Sequence, residues 1–515
     1  MSRGGGHRSP IDIDIRQLVE ALPEIYQNIY GHEEDDPETS RRCRERESII
    51  KTVVENYRKS TGKAKLKVLD LGCAQGYYSF TIADMGNHVD GIDFLDKNVA
   101  LCNGLQAENG LDCSFREQEI NQQMIDSIED NSYDIILFFS VVHHICHNHG
   151  FGYARKLFST LAIKGSIVLS ELAIKKEPLY WNKNLPVNYE DWFTDVKFYK
   201  ELHFFGTHLS DIERPFLIYS SEYCYANDIF YNIVEYHKSA HSGKGELTAN
   251  RYYICDNNLV MIKYCRVKGN RSIDELDAEL HFINTNRDLD FVPKVIGTEY
   301  TNDYRLLSSK IHYGKTLREL LKTSNKLDFK KIFSDILVNC VAMEERGVYQ
   351  GDMRAWNVCV NEVEAKAFVI DFGFVQLDTT DHILQAAYGM PEYPITVYDA
   401  FVAMVYDCLA LNGAESVKKI TEDDLYLPTL EYDFTKLPDD YAYFFKRFLA
   451  LKECEISFAK LYNLFLSMDD SIYTFTDEEK KRIEQKLSYA KYLTNELSIP
   501  KWQKGIRKLK QKLMK

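Results

Sequence analysis

Short apolar runs alternate with stretches of helical periodicity over roughly the first 240 residues. VLDLG at 68–72, HVDGIDF at 88–94, YDIILFFS at 133–140 and GSIVLSEL at 165–172 read as strands. The helical stretches between them predict a parallel sheet with crossover helices. Residues 11–60 precede the first strand and read as helices outside the sheet. From about 245 the pattern changes. It opens with strand-like runs (RYYICD, NLVMIKYC, YRLLSSKIH) and becomes mainly helical to about 465, which predicts two lobes. The remainder is helix-like and charged. No internal repeat at solenoid periods is present.

The first strand runs directly into Gly72, Cys73, Ala74, Gln75 and Gly76. Glycines at such a turn let a ligand approach the backbone, and the following helix offers free N–H groups. The second strand ends in Asp93 and Phe94, with Asp93 17 residues beyond Gly76. A carboxylate there binds a ribose diol in doubly wound folds. The dinucleotide fingerprint G-x-G-x-x-G is absent. The shorter G-x-x-x-G, with Asp70 before it, resembles motif I of class I S-adenosylmethionine methyltransferases. A lone G-x-x-x-G is common in turns; the full order of strand, turn, helix and strand ending in Asp is not. Ser140 ends the fourth strand and joins Asp70, Asp93, Phe94 and residues 72–76 as an expected cofactor contact. Four histidines follow within seven residues, His143, His144, His147 and His149. His143 and His147 could share a helix face and suggest zinc, but no further ligand stands out. Pocket lining or substrate contact is the expected role.

A second set of chemistry lies further on. Lys263 ends a strand-like run, and Glu279 follows on an amphipathic helix. Asp352 and Asn357 form D-x-x-x-x-N, with Arg354 between them, and Asp371 opens Asp-Phe-Gly. This order resembles the protein-kinase-like set. Lys263 would neutralise nucleotide phosphate and Glu279 would orient it. Asp352 would take the proton of an attacking hydroxyl, and Asn357 and Asp371 would hold Mg²⁺ beside ATP. The pattern departs from that set in three places. The glycine-rich loop is reduced to Gly243-Lys244-Gly245, Gln350 replaces the catalytic-loop histidine, and Gly351 replaces the usual arginine. GMPE at 389–392 mimics the end of an activation segment, and the short helical part is closer to sugar and small-molecule kinases.

Composition narrows the partners. At 515 residues the chain exceeds a single core. The expected domains are a helical cap at 1–64, a methyltransferase at 65–242, a kinase-like domain at 243–465 and a helical basic tail at 466–515. The fold class is thus α/β, Rossmann-like, followed by an α+β two-lobed kinase-like domain. A net charge of −14 opposes a life on nucleic acid. No apolar run approaches a membrane span, and the N-terminus has no apolar leader. Twelve scattered cysteines without a C-x-x-C pair predict reduced thiols in a cytoplasmic setting.

Several strings go beyond the generic sets: LPEIYQ at 22–27, VLDLGCAQG at 68–76, HHICHNHG at 143–150, ELAIKKEPLYW at 171–181, THL at 207–209, Arg214-Pro215, RAWN at 354–357 and IDFG at 370–373. Together they resemble the WbdD-type bifunctional methyltransferase/kinase family, which terminates polymannose O-antigen chains in Gram-negative bacteria. The resemblance spans about residues 17–380. It implies a kinase that phosphorylates the terminal mannose of a lipid-linked polysaccharide and a methyltransferase that then methylates that phosphate. The cap ends extension by a mannosyltransferase polymerase and so sets chain length. The resemblance also implies that Tyr26 and Arg46 close over cofactor or substrate. A phosphate monoester is already anionic, so its methylation needs positioning and charge balance rather than a strong base. His143, His144, Lys175 and Arg214 are the candidates for that pocket, with solvated surface charge the alternative for the last two.

Residues 501–515 carry seven Lys or Arg and no acid, with Trp502, Ile506, Leu509 and Leu513 on one stripe. Such a helix can lie on an anionic membrane surface, which predicts a peripheral protein on the cytoplasmic face of the inner membrane. Ile483, Leu487, Ala490 and Leu497 suggest two heptads, the kind of pattern through which the family forms homo-oligomers, though two are too few to establish a coiled coil. The competing expectations are a kinase/methyltransferase acting on another small molecule, and a methyltransferase carried by a pseudokinase scaffold.

Overall fold

The computed structural model describes residues 14–32, 34, 43–207, 211–238, 250–257, 259–267, 273–312, 314–323, 327–377, 395–411, 431–469 and 473–497. The chain divides into two compact units, Met1–Asn257 and Asn258–Lys515. Three sequence features lie outside the described residues: Gly243 to Gly245, GMPE at 389–392 and the basic stretch 501–515.

The first unit begins with α1 (Ile15–Glu20) and α2 (Cys43–Thr61). Five strands follow, β1 (Lys67–Leu71), β2 (His88–Asp93), β3 (Cys113–Glu117), β4 (Tyr133–Phe139) and β5 (Gly165–Glu171). Between them run α3 (Tyr77–Asp84), α4 (Asp96–Asn109), α5 (Gln122–Asp126), α6 (Val142–His149) and α7 (Phe151–Lys164). Then come β6 (Phe198–Phe205), β7 (Arg214–Ser220), β8 (Tyr223–Ala226), β9 (Ile229–Lys238) and β10 (Arg251–Cys255). The seven-stranded sheet has the order β3-β2-β1-β4-β5-β7-β6. The first five strands are parallel, and β7 is antiparallel to both β5 and β6. This order reverses direction beside β1, and ligands bind such sheets at the carboxyl ends of the strands beside the reversal. Strands β4 and β5 are buried at every position, as central strands covered on both faces must be. The four strands expected from the apolar runs are all present. A separate antiparallel ladder joins β8, β9 and β10.

The second unit opens with β11 (Val260–Arg266), α8 (Ile273–Thr285), β12 (Lys294–Tyr300) and β13 (Tyr304–Lys310). Strand β13 pairs with both β11 and β12, antiparallel. The short β14 (Lys315–Thr316) leads into α9 (Leu317–Thr323) and α10 (Phe329–Glu344). Four more short strands follow, β15 (Val348–Gln350), β16 (Val358–Asn361), β17 (Lys366–Val369) and β18 (Val375–Leu377). The helices α11 (Val397–Leu411), α12 (Asp439–Ala450), α13 (Phe458–Leu466) and α14 (Asp477–Leu497) complete the unit. Strands β15 and β18 pair, so the chain on either side of the Asp352 and Asp371 loops is tied together. Glu344, at the end of α10, accepts hydrogen bonds from the N–H groups of Phe458 and Ala459 at 3.0 Å each. A carboxylate at the start of α13 satisfies orphan donors and opposes the helix dipole.

The apolar stripe of α14 does not face away from the unit. Ile483, Leu487 and Ala490 pack against the helical core, and Leu493 is buried. Arg482 Nε and Lys486 Nζ donate to the carbonyls of Ala450 and Leu451 at the end of α12, at 2.8 and 3.0 Å. Heptad spacing and a core-facing helical stripe are nearly the same pattern over three turns, and here the core takes it. No helix among the described residues is long and apolar enough to cross a membrane. Leu493→Ala should therefore cost about 2–4 kcal/mol of stability, measured as a lowered urea midpoint for the second unit. An unchanged midpoint with an altered oligomeric state would mean that the stripe serves self-association instead.

Candidate active sites

At the carboxyl end of β1 the chain makes the tight turn that the glycines predict. Gly72 and Gly76 have φ of 79° and 77°. A Cβ on Gly72 would lie 2.4 Å from a Val141 methyl, so no other residue fits there without displacing the start of α6. Asp93 holds the turn from β2. One of its oxygens accepts from Ala74 N–H at 2.9 Å, and the other from Leu95 N–H at 2.9 Å and Asn98 Nδ2 at 3.1 Å. A carboxylate has about four acceptor sites, so the Asp93 oxygens can still receive a ribose diol. Phe94 beside it is 73% exposed, an apolar face next to the carboxylate. The residues thus fit a nucleoside cofactor such as S-adenosylmethionine. A pyrophosphate fits less well, because Gln27 Oε1 accepts the Tyr77 N–H at 3.0 Å, at the start of α3.

The remaining members of this set serve the turn. Asp70 is buried and accepts from Ser79 Oγ at 2.6 Å. Burial pushes its carboxyl up to about 7 despite that bond. The Cys73 thiol is buried against Cys102, whose Sγ also donates to the Ala74 carbonyl at 3.4 Å. Gln75 turns toward the N-terminal segment, where its Oε1 accepts from Tyr26 N–H and Gln27 N–H.

The ends of β4, β5 and β7 carry a second, charged network. Arg46 is buried, and its Nε donates to Glu171 Oε2 at 2.6 Å, with the guanidinium over Phe205. Ser140 Oγ donates to the other Glu171 oxygen at 3.3 Å and receives Arg214 Nη1 at 3.4 Å. Arg214 pairs with both oxygens of Glu177, at 2.9 and 2.6 Å. Arg214 is thus a buried ion-paired residue and not surface charge. Arg46 joins this network, at the end of β5. Trp181 packs on His143 and His144, with ring centroids 4.6 and 5.4 Å apart, and under Arg214 at 5.7 Å. Burial, then Arg214 and His147, lower the His144 pKa. Tyr180 OH lies 3.1 Å from His144 Nδ1. Lys175 Nζ donates to the Lys183 carbonyl at 2.7 Å. No cluster of three metal-ligating side chains exists among the described residues.

In the second unit Lys263 on β11 reaches Glu279 of α8, at 2.8 and 2.7 Å, and Asp371 at 2.9 Å. Burial raises the Glu279 pKa, and the Lys263 ammonium opposes that rise. Phe372 stacks on Phe282 of α8, with centroids 4.4 Å apart, which fixes Asp371 relative to the helix that carries Glu279. Asp371 has φ 61° and ψ 81°, an unusual conformation for a non-glycine residue, and strain of this kind clusters at ligand clamps. Arg354 Nε lies 2.7 Å from Asp352 Oδ1. Asn357 Nδ2 donates to the Asp352 carbonyl and to Asp352 Oδ2, at 2.8 and 2.9 Å. That fixes which side of the amide carries its oxygen. The Asn357 oxygen and the Asp371 carboxylate suit Mg²⁺, which needs only one or two protein ligands beside phosphate oxygens.

The two departures in the catalytic loop have physical reasons. Gln350 Nε2 donates to the carbonyls of Ile370 and Asp371, at 3.1 and 2.8 Å, and its Oε1 accepts Asp352 N–H at 3.1 Å. A single amide, both donor and acceptor, ties the two loops. A Cβ at Gly351 would lie 2.3 Å from the Phe374 carbonyl oxygen, so an arginine has no room. Sequence reasoning missed Gln27, Glu171 and Glu177 as site residues. The two acids lie inside the ELAIKKEPLYW string, and an acid at the carboxyl end of a parallel strand was the available signal.

The raised Asp70 pKa makes the fold bind a proton that the unfolded chain releases near pH 4. Stability of the first unit should therefore fall as pH rises from about 4 through about 7. Asp70→Asn, which keeps an acceptor for Ser79, should gain on the parent protein between pH 5 and pH 8, measured by paired unfolding curves. A pH-independent difference would contradict this.

Residues 62–237 match the model of a methyltransferase domain. The O-antigen chain terminator bifunctional methyltransferase/kinase WbdD of Escherichia coli is 30% identical over 411 residues, 78% of this chain and 56% of that protein. The chain therefore spans about half the length of the curated relatives it matches. A ubiquinone biosynthesis O-methyltransferase of Maricaulis maris is 29% identical over 86 residues, 17% of this chain and 33% of that protein. Two solved structures of WbdD, one described as a bifunctional kinase-methyltransferase, superpose with TM-scores of 0.75 and 0.77 at 27% identity. They cover 92% and 97% of this chain, and 100% and 99% of their own. The resemblance carried by the motifs thus extends through both units, and over both this chain is similar to the WbdD-type bifunctional methyltransferase/kinases.

Proposed function

We propose that this chain caps a growing glycan in two steps. The second unit phosphorylates the terminal sugar, a mannose on a lipid-linked O-antigen polysaccharide, and the first unit methylates that phosphate. The observation that carries this reading is the assembled kinase set, Lys263–Glu279–Asp371 beside Asp352–Asn357, in one chain with a methyltransferase domain. A pseudokinase scaffold has no need of a base, a metal pair and an oriented lysine together.

ATP with Mg²⁺ brings the transferable phosphoryl group, and S-adenosylmethionine brings a methyl group on a sulfonium. The protein's own residues do the rest. A sugar hydroxyl is a weak nucleophile, and Asp352 accepts its proton as the bond to phosphorus forms. Arg354, 2.7 Å from Asp352, sets an opposite charge beside that carboxylate. Lys263 offers positive charge to the nucleotide phosphates, held by Glu279. The product phosphate is anionic at neutral pH and needs no base in the next step. Arg214, Ser140, His143 and His144 at the strand ends supply hydrogen-bond donors for it. Burial and the neighbouring Arg214 lower the His144 pKa, so it contributes donors and shape rather than charge. Arg46 and Arg214 each meet the phosphate with a carboxylate already paired to them, which offsets part of their charge.

The capped end has no free hydroxyl at the modified position, so a mannosyltransferase polymerase cannot extend it there. The basic, amphipathic 501–515 stretch would bring the enzyme to an anionic inner-membrane surface where such a substrate resides. The test is incubation with ATP, Mg²⁺, S-adenosylmethionine and a synthetic oligomannoside, read by mass spectrometry. Phosphate and then phosphate-plus-methyl adducts are expected. Asp352→Ala should slow phosphorylation by about 100-fold or more and remove the methyl adduct with it. Methylation that persists in the variant would make the sugar hydroxyl the methyl acceptor. Activity on free small molecules with none on glycans would replace the substrate class.

A further inference from the structure

Residues 22–32 form neither helix nor strand beyond single turns, yet Gln27 and Ile29 are only 3% and 2% exposed. Backbone groups buried outside regular structure need partners elsewhere. Here part of that need is met by the cofactor turn. Gln75 Oε1 accepts from Tyr26 N–H at 3.1 Å and Gln27 N–H at 2.9 Å. Gln75 Nε2 donates to the Glu24 carbonyl at 3.4 Å and to Asn98 Oδ1 at 2.8 Å. Asn98 in turn donates to Asp93 Oδ1. In the other direction Gln27 Oε1 accepts from Tyr77 N–H at the start of α3. The two glutamines thus cross between strap and turn, each satisfying backbone groups of the other segment. Tyr30 extends the contact by stacking on Phe80 of α3, with centroids 5.4 Å apart, and His32 reaches Glu108 of α4 at 2.8 Å.

We propose that Gln27 and Gln75 are positioning residues that latch the 22–32 strap onto the cofactor turn and so set how long the methyl-donor nucleoside is retained. The inference rests on the reading that the first unit binds S-adenosylmethionine. Three hydrogen bonds in series join the strap to the cofactor carboxylate: strap to Gln75, Gln75 to Asn98, Asn98 to Asp93. Lifting the strap removes the strap partners of Gln75 and the Gln27 acceptor of Tyr77 N–H, and so loosens the side chain that holds Asn98 beside Asp93. These bonds are lost when the strap lifts, so an intact latch disfavours opening, and retention of the nucleoside follows.

The full-length protein and two variants test this. S-adenosylmethionine affinity is measured by calorimetry, its release by competition stopped flow, and strap protection by hydrogen exchange over residues 22–32. Gln27→Ala should weaken affinity about tenfold, speed release to match, and raise exchange in the strap. Where methyl transfer is followed, the KM for S-adenosylmethionine should rise far more than kcat falls. Gln27→Glu keeps an oxygen acceptor for Tyr77 N–H and should stay within about threefold of the parent. The inference is overturned by parent-like affinity and release in Gln27→Ala, by a strap that loosens without a change in affinity, or by Gln27→Glu failing as badly as Gln27→Ala. If the parent protein itself does not bind S-adenosylmethionine, the cofactor reading fails first and the retention role fails with it. The variants are not needed to see that result.

Discussion

Charge taken out of water must be matched inside the protein, and both candidate sites are built around that requirement. In the second unit Lys263 stands between Glu279 and Asp371, within 2.9 Å of each. In the first unit two buried arginines each meet a fully buried acid, Arg46 with Glu171 and Arg214 with Glu177. Unpaired, any of these ions would cost several kcal/mol or lose its charge. Paired, they hold donors and acceptors in fixed directions at the ends of strands. The packing follows from this constraint: Phe372 under α8, Trp181 beneath Arg214 and Phe205 beneath Arg46 are the apolar walls that keep the pairs in register.

The same constraint separates the two chemistries. In the proposed reaction Asp352 is the base, with Arg354 beside its carboxylate and Asn357 bonded to it. The first unit is arranged differently among the described residues at its strand ends. Its carboxylates are occupied by arginines, and His144 has Tyr180 at one ring nitrogen. An acceptor that must be deprotonated suits the second unit, and one that arrives as an anion suits the first. On the proposed reading, phosphorylation before methylation is the order in which each site receives a substrate it is equipped to use.

Much of this was legible in the sequence, for a definable reason. The Gly72–Gly76 turn, Asp93 and the Asp352–Asn357–Asp371 set sit at or near strand ends, and Lys263, expected at the end of a strand, lies in the middle of β11, so periodicity and spacing locate the set to within a few residues. What spacing does not encode is pairing between distant loops. Arg46 and Glu171 are 125 residues apart, and Gln27 reaches Tyr77 across 50. Neither distance leaves a periodic trace. Gln350 reads as a lost histidine in sequence, and only its three hydrogen bonds show how an amide takes the place. The stripe Ile483, Leu487 and Ala490 shows the opposite failure: the pattern is clear, but it cannot say whether another chain or the unit's own core receives it.

In the proposed sequence the second unit makes the substrate of the first. The most direct measurement supplies the Asp352→Ala protein with S-adenosylmethionine and two oligomannosides, one bare and one already phosphorylated at its terminal sugar, and counts methyl adducts by mass. Methylation of the phosphorylated glycan at the parent rate, and none of the bare one, is the expected result of that two-step sequence. Methylation of the bare glycan, or failure on the phosphorylated one while the parent protein caps normally, would contradict it.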